Sequence, residues 1–444
     1  MPFDLVIRGA TLVRPFGLDR LDVAISDGRI EGVGDFASVD ALETVDATGL
    51  YMLPGGVDTQ VHFREPGMTH KEDLASGSLA ALCGGVTSFL EMPNTKPATT
   101  SPSALAEKVA AATRRCWANF GFFFGATPSN AVHLATFEKL PGTPGIKIFV
   151  GSSTGDLLVD DEDDLRRVLL HGHKRVAVHS EDEARNVARK DLISASPTPH
   201  EHPFLRDAES AVISTKRLIR LSEETGRAVH ILHISTADEL PLIAAAKAKG
   251  LPITCEITPQ HLWFAAPSCY DELGTKAQMN PPLRSEEHRA ALWKALGDGL
   301  FDVFGSDHAP HTLAEKAQPY PSSPSGMPGV ETILPVLLTF ASQGRISYES
   351  IARMFCLTPS ALYGIRGKGQ IEVGFDADLV LFDPRQKWMV DETSLHSKCG
   401  WSPYHGITLT GKILSVFLLG ELAASDGQPV GSPKGKCLEF SDES

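Results

Sequence analysis

Along most of the chain, short apolar runs rich in β-branched and aromatic residues alternate with longer stretches whose apolar positions recur every three to four residues. Runs of the first kind are too short for helices and read as buried strands, and stretches of the second kind read as helices with one face on a core. Strand candidates fall at 56–62 (GVDTQVH), 86–92 (VTSFLEM), 119–126 (NFGFFFGA), 145–150 (GIKIFV), 175–179 (RVAVH), 228–234 (AVHILHI), 252–257 (PITCEI) and 302–306 (DVFGS). Two of the intervening helices begin at capping residues, SPSALAEKVAAATRR at Ser101 and DAESAVISTKRLIRLSEE at Asp207. Repeated βα units build a parallel sheet, and eight of them predict an α/β fold of the (β/α)8 TIM barrel type over residues 54–365.

The two ends of the chain lack this rhythm. Residues 1–53 and 366–444 show short alternating strands and glycine turns, as in GFDADLVLFDP at 374–384 and ITLTGKILSVFLLGEL at 407–422. They predict a smaller β-sandwich domain made from both chain ends. After the last barrel strand, residues 309–330 (APHTLAEKAQPYPSSPSGMPG, then Val330) form a long segment rich in Pro, Ser and Gly, of the kind that serves as a lid or a substrate-contact loop.

Composition narrows the function. Of 444 residues, 42% are hydrophobic, yet no apolar run approaches the roughly 20 residues of a membrane span, and the N-terminus reads as a strand rather than a signal peptide. A cytoplasmic protein is expected. The seven cysteines are scattered, odd in number and without CxxC spacing, so neither a disulfide framework nor a thiolate zinc site is expected. The formal charge of −14 argues against nucleic acid as a partner, since phosphate neutralisation needs a basic surface. An anionic small molecule would need a local basic pocket instead.

Candidate chemistry clusters at the strand ends, where a barrel enzyme builds its active site. His62 and Arg64 lie two residues apart in DTQVHFREPG, so on a strand they share a side: one can hold a metal, the other can grip a carboxylate. Lys147 sits inside the fourth strand with no obvious acidic partner. A lysine so placed more often pairs with an acid or reaches to solvent; the other resolution is loss of its proton and reaction with carbon dioxide to a carbamate that can bridge two metals. His179 and His233 end the fifth and sixth strands, and Asp307 ends the eighth. Together they suit a binuclear zinc site. His230 has the opposite strand parity to His233 and is expected to face the helices, while His171 and His173 precede the fifth strand and fall at the wrong end. The acidic run DDEDDLRR at 160–167 is explained by a helix N-terminus.

With these residues assembled, the chain resembles the dihydroorotases of the amidohydrolase superfamily over nearly its whole length. The resemblance rests on VHFREPG at 61–67, EMPNT at 91–95, GIKIF at 145–149, VHSED at 178–182, LHIST at 232–236, NPPLR at 280–284, SDHAPH at 306–311 and GFDADLV at 374–380. It implies reversible cyclisation of N-carbamoyl-L-aspartate to L-dihydroorotate in pyrimidine synthesis. By residue, it implies two zinc ions held by His62, His179, His233, Asp307 and a carboxylated Lys147, with Asp307 as proton carrier. Arg64, Asn94 and His311 would bind the substrate carboxylate and Asn280 the ring, while Arg284 reads as structural.

Two positions depart from the family. Its first strand normally carries HxH, where this chain has Gln60-Val61-His62; some bacterial members carry glutamine here, a weaker zinc ligand that leaves the first metal position in question. In TPQHL, Gln260 stands where relatives often have histidine. Two other readings stay open: a hydantoinase- or allantoinase-like cyclic amidohydrolase, and a catalytically silent partner of an aspartate transcarbamoylase. A homodimer is also compatible with the sequence.

Overall fold

The computed structural model describes residues 2–151 and 157–441. Each of the eight strand candidates is a strand, at Gly56–Val61, Val86–Glu91, Asn119–Phe122 with Phe124–Gly125, Ile146–Phe149, Val176–His179, Val229–Ile231, Ile253–Ile257 and Val303–Phe304. The third is broken in two: Asn119–Phe122 pairs with the second strand and Phe124–Gly125 with the fourth, so the parallel order runs unbroken from first to eighth. A parallel bridge between Val61 and His308, with the His62 amide donating to the His308 carbonyl at 2.7 Å, closes the ring.

Strand alternation separates two cores. Ile146, Ile148, Val176, Val178, Val229 and Ile231 point outward onto the helices. Val57, Leu90, Ala177, Leu232 and Tyr363 form a second cluster that strands from opposite walls can share only inside the barrel. The helix expected from Ser101 runs Pro102–Ala112, with the Ser101 hydroxyl accepting from the Ala104 amide; it stops short of 115 because Arg114 turns left-handed at φ 65°. The helix at Asp207 runs Ala208–Thr225 between an aspartate cap and Gly226 at φ 71°, the conformation glycine adopts most cheaply. The acidic run caps and opens the helix Glu162–Leu170, as a helix N-terminus favours.

The chain ends build two further sheets, one of four strands from residues 3–46 and one of seven that interleaves both termini. In the latter, Tyr51–Pro54 pairs antiparallel with Leu379–Met389, which ties the entry to the barrel to the chain that leaves it. Leu5, Ile7, Val23 and Ile25 of the small sheet pack on Leu12, Met52, Leu379, Leu381 and Phe417 of the large one, the shared core of a β-sandwich. The fold is thus a TIM barrel with a β-sandwich beside it.

Residues 309–330 are fastened down. The Ala309 amide donates to the Met327 carbonyl at 2.8 Å, and the Trp401 indole donates to the His311 carbonyl at 2.8 Å. Lys316, buried, donates to the carbonyls of Pro324 at 2.8 Å and of Gln278 and Gly326 at 3.3 Å. The segment is a wall of the barrel mouth rather than an open flap. All seven cysteines are free, and among the described residues no helix is long and apolar enough to cross a membrane.

Candidate active site

The first barrel strand delivers Gln60 and His62, and Arg64 follows with a left-handed backbone at φ 66° that turns its side chain into the barrel mouth. Left-handed residues also sit at His233, φ 38°, and Asp307, φ 43°. Three non-glycine residues in this region, all at strand ends of one face, are strain held by the surrounding fold, a habit of functional sites.

His62, Gln60 and Asp307 form one group. His62 Nδ1 lies 2.8 Å from Asn94 Oδ1, its Nε2 lies 3.3 Å from Asp307 Oδ1, and Gln60 Nε2 donates to the same carboxylate oxygen at 3.0 Å. His179 and His233 form the other, with His179 Nδ1 3.0 Å from His233 Nε2. Lys147 is 1% exposed. Burial pushes its ammonium down to about 7, against the pull of Asp307 and Glu256, and its charge in turn depresses both His179 and His233.

Three histidine ligands in protonated form could hold no metal. Here burial lowers the pKa of His62, His179 and His233 alike, so neutral imidazoles with free lone pairs prevail. Those lone pairs are badly served by the protein itself. With Nδ1 of His62 donating to Asn94, its Nε2 lone pair faces a carboxylate; Gln60 Oε1 and His233 Nδ1 are buried without a hydrogen-bond partner. Cations between such groups would relieve all of them, so the donor set fits metal ions. Among the described residues no three His, Cys, Asp or Glu side chains form a finished cage; a carbamate on Lys147 would add one anionic ligand to the set. That change would replace a cation that weakens two imidazoles with an anion that strengthens them.

Arg64 and His311 meet on another wall. Arg64 is 2% exposed; its Nε donates to the Pro310 carbonyl at 3.2 Å, and its Nη2 lies 3.3 Å from His311 Nε2. Among the described residues no carboxylate forms an ion pair with it, and desolvation lowers even its guanidinium to about 10. Asn94 reaches this region through His62. Asn280, half-buried, has its Oδ1 3.0 Å from His202 Nε2, which also lies 3.0 Å from the Met279 carbonyl. Arg284 is buried, donating to Ser235 Oγ at 3.1 Å and to the Arg206 carbonyl at 3.0 Å, an internal clamp.

Several residues near the site were not singled out by the sequence. Glu181, two positions beyond His179, takes His179 Nε2 at 2.9 Å and pairs with Arg206. Burial would raise its carboxyl, but Arg206 and His179 outweigh that and hold it well below the usual range. This is the carboxylate–histidine arrangement that orients a metal ligand and raises its basicity, and the strand parity of 179 and 181 was the available signal. Glu256, on the seventh strand, acts on the Lys147 charge after Asp307 does, though among the described residues no ion pair joins either acid to the lysine. Desolvation, then Asp307, raises Glu256 to about 8, and Gly305 makes room for it, since a Cβ there would come within 2.3 Å of its carboxylate. His202 and Lys71 also line the rim.

One expectation is overturned. His230 does not face the helices: it lies inside the base of the barrel, its ring 6.2 Å from that of Tyr363 and its Nε2 3.9 Å from Glu256 Oε2. The strand ends at Ile231 and the chain turns left-handed at His233, so parity counted back from His233 fails. His171 and His173 do precede the fifth strand, and His173 is exposed.

A model of the amidohydrolase family matches residues 51–423. The chain belongs to the amidohydrolase family. Among its relatives, a dihydroorotase of Halobacterium salinarum is 39% identical over 403 residues, 87% of this chain and 91% of that protein. An allantoinase of Rubrobacter xylanophilus is 34% identical over 448 residues, 98% of this chain and 97% of that protein. The solved L-hydantoinase of Arthrobacter aurescens superposes with a TM-score of 0.92 at 28% identity, covering 97% of this chain and 98% of that one. As an amidohydrolase of this group the protein is a metal-dependent cyclic amide hydrolase.

Proposed function

We propose that the protein is a dihydroorotase, interconverting N-carbamoyl-L-aspartate and L-dihydroorotate in the route to pyrimidine nucleotides. The observation that carries this reading is Arg64, a buried guanidinium with no acid in contact among the described residues and a histidine nitrogen 3.3 Å away. A buried cation is costly unless paired, and a ring carboxylate is the pair that this pocket lacks. An uncharged hydantoin would leave it unmet.

The metals would be held by His62, His179, His233, Asp307 and a carboxylated Lys147, with the Gln60 carbonyl as a weak further ligand. Two zinc ions there supply an acidified water and a polarised ring carbonyl. Arg64, His311 and Asn94 fix the substrate carboxylate, and Asn280 the ring edge, so that the amide presents one face to Asp307. In the opening direction Asp307 takes the proton of the attacking water on its carboxylate and returns it to the departing ring nitrogen, regenerating its starting state. Glu181 keeps the His179 ring aligned throughout.

The test is ring opening of L-dihydroorotate by the purified protein supplied with zinc and bicarbonate, beside allantoin and 5-substituted hydantoins. Preference for L-dihydroorotate, lost in Asp307→Ala, supports the reading. Faster opening of an uncharged ring would move the assignment to that substrate, and a well-folded protein that opens none of them and binds no zinc would fit a silent partner of an aspartate transcarbamoylase.

A further inference from the structure

Lys71 follows the FREPG turn and is mostly covered, its side chain 12% exposed. Its Nζ lies 3.0 Å from His311 Nδ1 and 3.0 Å from Glu315 Oε1, both on the fastened wall. An ammonium has hydrogens to give and nothing to accept with, so Nδ1 of His311 must offer its lone pair. The other ring nitrogen, Nε2, lies 3.0 Å from the Ser325 carbonyl and therefore carries the hydrogen. Lys71 and Ser325 thus select the same tautomer from opposite sides.

The tautomer matters because of Arg64. Its Nη2 stands 3.3 Å from His311 Nε2. Were Nε2 the lone-pair atom, it would accept from Arg64 and satisfy it internally. With Nε2 giving its hydrogen to Ser325 it has no lone pair to offer, so Arg64 Nη2 finds no acceptor there and an anion beside it would supply one. The surroundings agree: burial first, then the charges of Arg64, Lys71 and Lys316, hold the His311 imidazole far below its ordinary value, so it stays neutral.

We propose that Lys71 is a positioning residue for recognition of the substrate carboxylate: by donating to His311 Nδ1 it holds the imidazole in the tautomer that keeps Arg64 available to the ligand. This rests on the dihydroorotase reading above. Lys71 reaches the substrate through His311 and has no part in the bond-breaking step.

The experiment compares the KM of L-dihydroorotate with the inhibition constant of its methyl ester, which keeps the ring and loses the charge, in the zinc-loaded wild type, Lys71→Met, Lys71→Arg and Glu315→Gln. Lys71→Met is expected to raise the KM of the acid about tenfold, with kcat and the ester's inhibition constant within twofold of wild type. Lys71→Arg, which keeps a charged donor, should recover most of the loss. Glu315→Gln breaks the Lys71 ion pair but leaves the His311 contact, so it should change neither constant beyond twofold. Equal losses on acid and ester, an effect of Glu315→Gln as large as that of Lys71→Met, or an unchanged KM in Lys71→Met would each overturn the role of Lys71. Should Lys71→Met fail to fold, Lys71→Arg and Glu315→Gln decide alone: a loss on the acid confined to Glu315→Gln means the ion pair holds the wall and overturns the proposal. A wild type that binds the ester as tightly as the acid sinks the dihydroorotase reading itself, before any variant is compared.

Discussion

Arg64→Met tests the central electrostatic argument with opposite signs in two assays. In the substrate complex the guanidinium would make two hydrogen bonds to a carboxylate in a dry pocket. Charged hydrogen bonds contribute roughly 1.5–3 kcal/mol each, so loss of two should cost about 3–6 kcal/mol, roughly two to four powers of ten in kcat/KM for L-dihydroorotate. The methyl ester never made the ion pair, and its affinity should fall by about threefold or less. Without substrate the same side chain is a liability. Its pKa is depressed to about 10 by burial, so the charged form is penalised in the folded state, by at most roughly 3 kcal/mol. A methionine of similar length removes that penalty at a backbone position, φ 66°, that is equally strained for both residues. The melting temperature of the free protein should therefore hold or rise while activity collapses. Kinetics on acid and ester, with thermal melts of the same preparations, check both signs. Equal losses on acid and ester, or a melting temperature that falls by many degrees, would refute the assignment of Arg64 to the carboxylate and make it a structural residue.

Asp307→Ala should lower turnover by about a thousandfold or more while the far-ultraviolet spectrum stays that of wild type; near-normal turnover would remove it as the proton carrier. Glu181→Gln should weaken zinc affinity about 10–100-fold, because His179 loses the carboxylate that aligns it, with activity recovering in excess zinc; unchanged affinity by chelator competition would show that the Glu181 contact does not tune the ligand. Gln60→His should tighten binding at the first metal position, and identical zinc stoichiometry and affinity in that variant would show that residue 60 is no ligand.

Much of the fold was legible because a buried parallel sheet leaves short apolar strands separated by helices with good caps, and each of the eight was found where that pattern put it. The residues the sequence failed to single out or misplaced were hidden for separate physical reasons. Glu256 lies on the seventh strand and Lys147, which the sequence did single out, on the fourth, and only barrel closure brings those walls near enough for their charges to interact. Glu181 hid in plain view beside His179, read as part of a motif rather than as a partner. His230 was misplaced because parity is a property of a straight strand, and the sixth strand ends two residues before His233. Lys71 carries no periodic signal at all; its meaning comes from His311, far along the chain, and from the tautomer that their contact imposes.

The two halves of the site make opposite demands on charge, and on the dihydroorotase reading their separation would let an acidic protein take an anionic substrate. At the base, Asp307, Glu256 and Glu181 surround three neutral imidazoles and one lysine, a set that gains from added cations. At the rim, Lys71 is paired with Glu315 and His311 is neutral, while among the described residues no acid is in contact with the Arg64 guanidinium. A substrate that is an anion at one end and an electrophilic amide at the other can satisfy both only in one orientation, carboxylate to the rim and carbonyl to the metals. On that reading, specificity and orientation would both come from the same uncompensated charge at Arg64. A neutral ring lacks the means to meet the rim, which is why the acid–ester pair discriminates the cyclic amides more sharply than a survey of substrates differing in size.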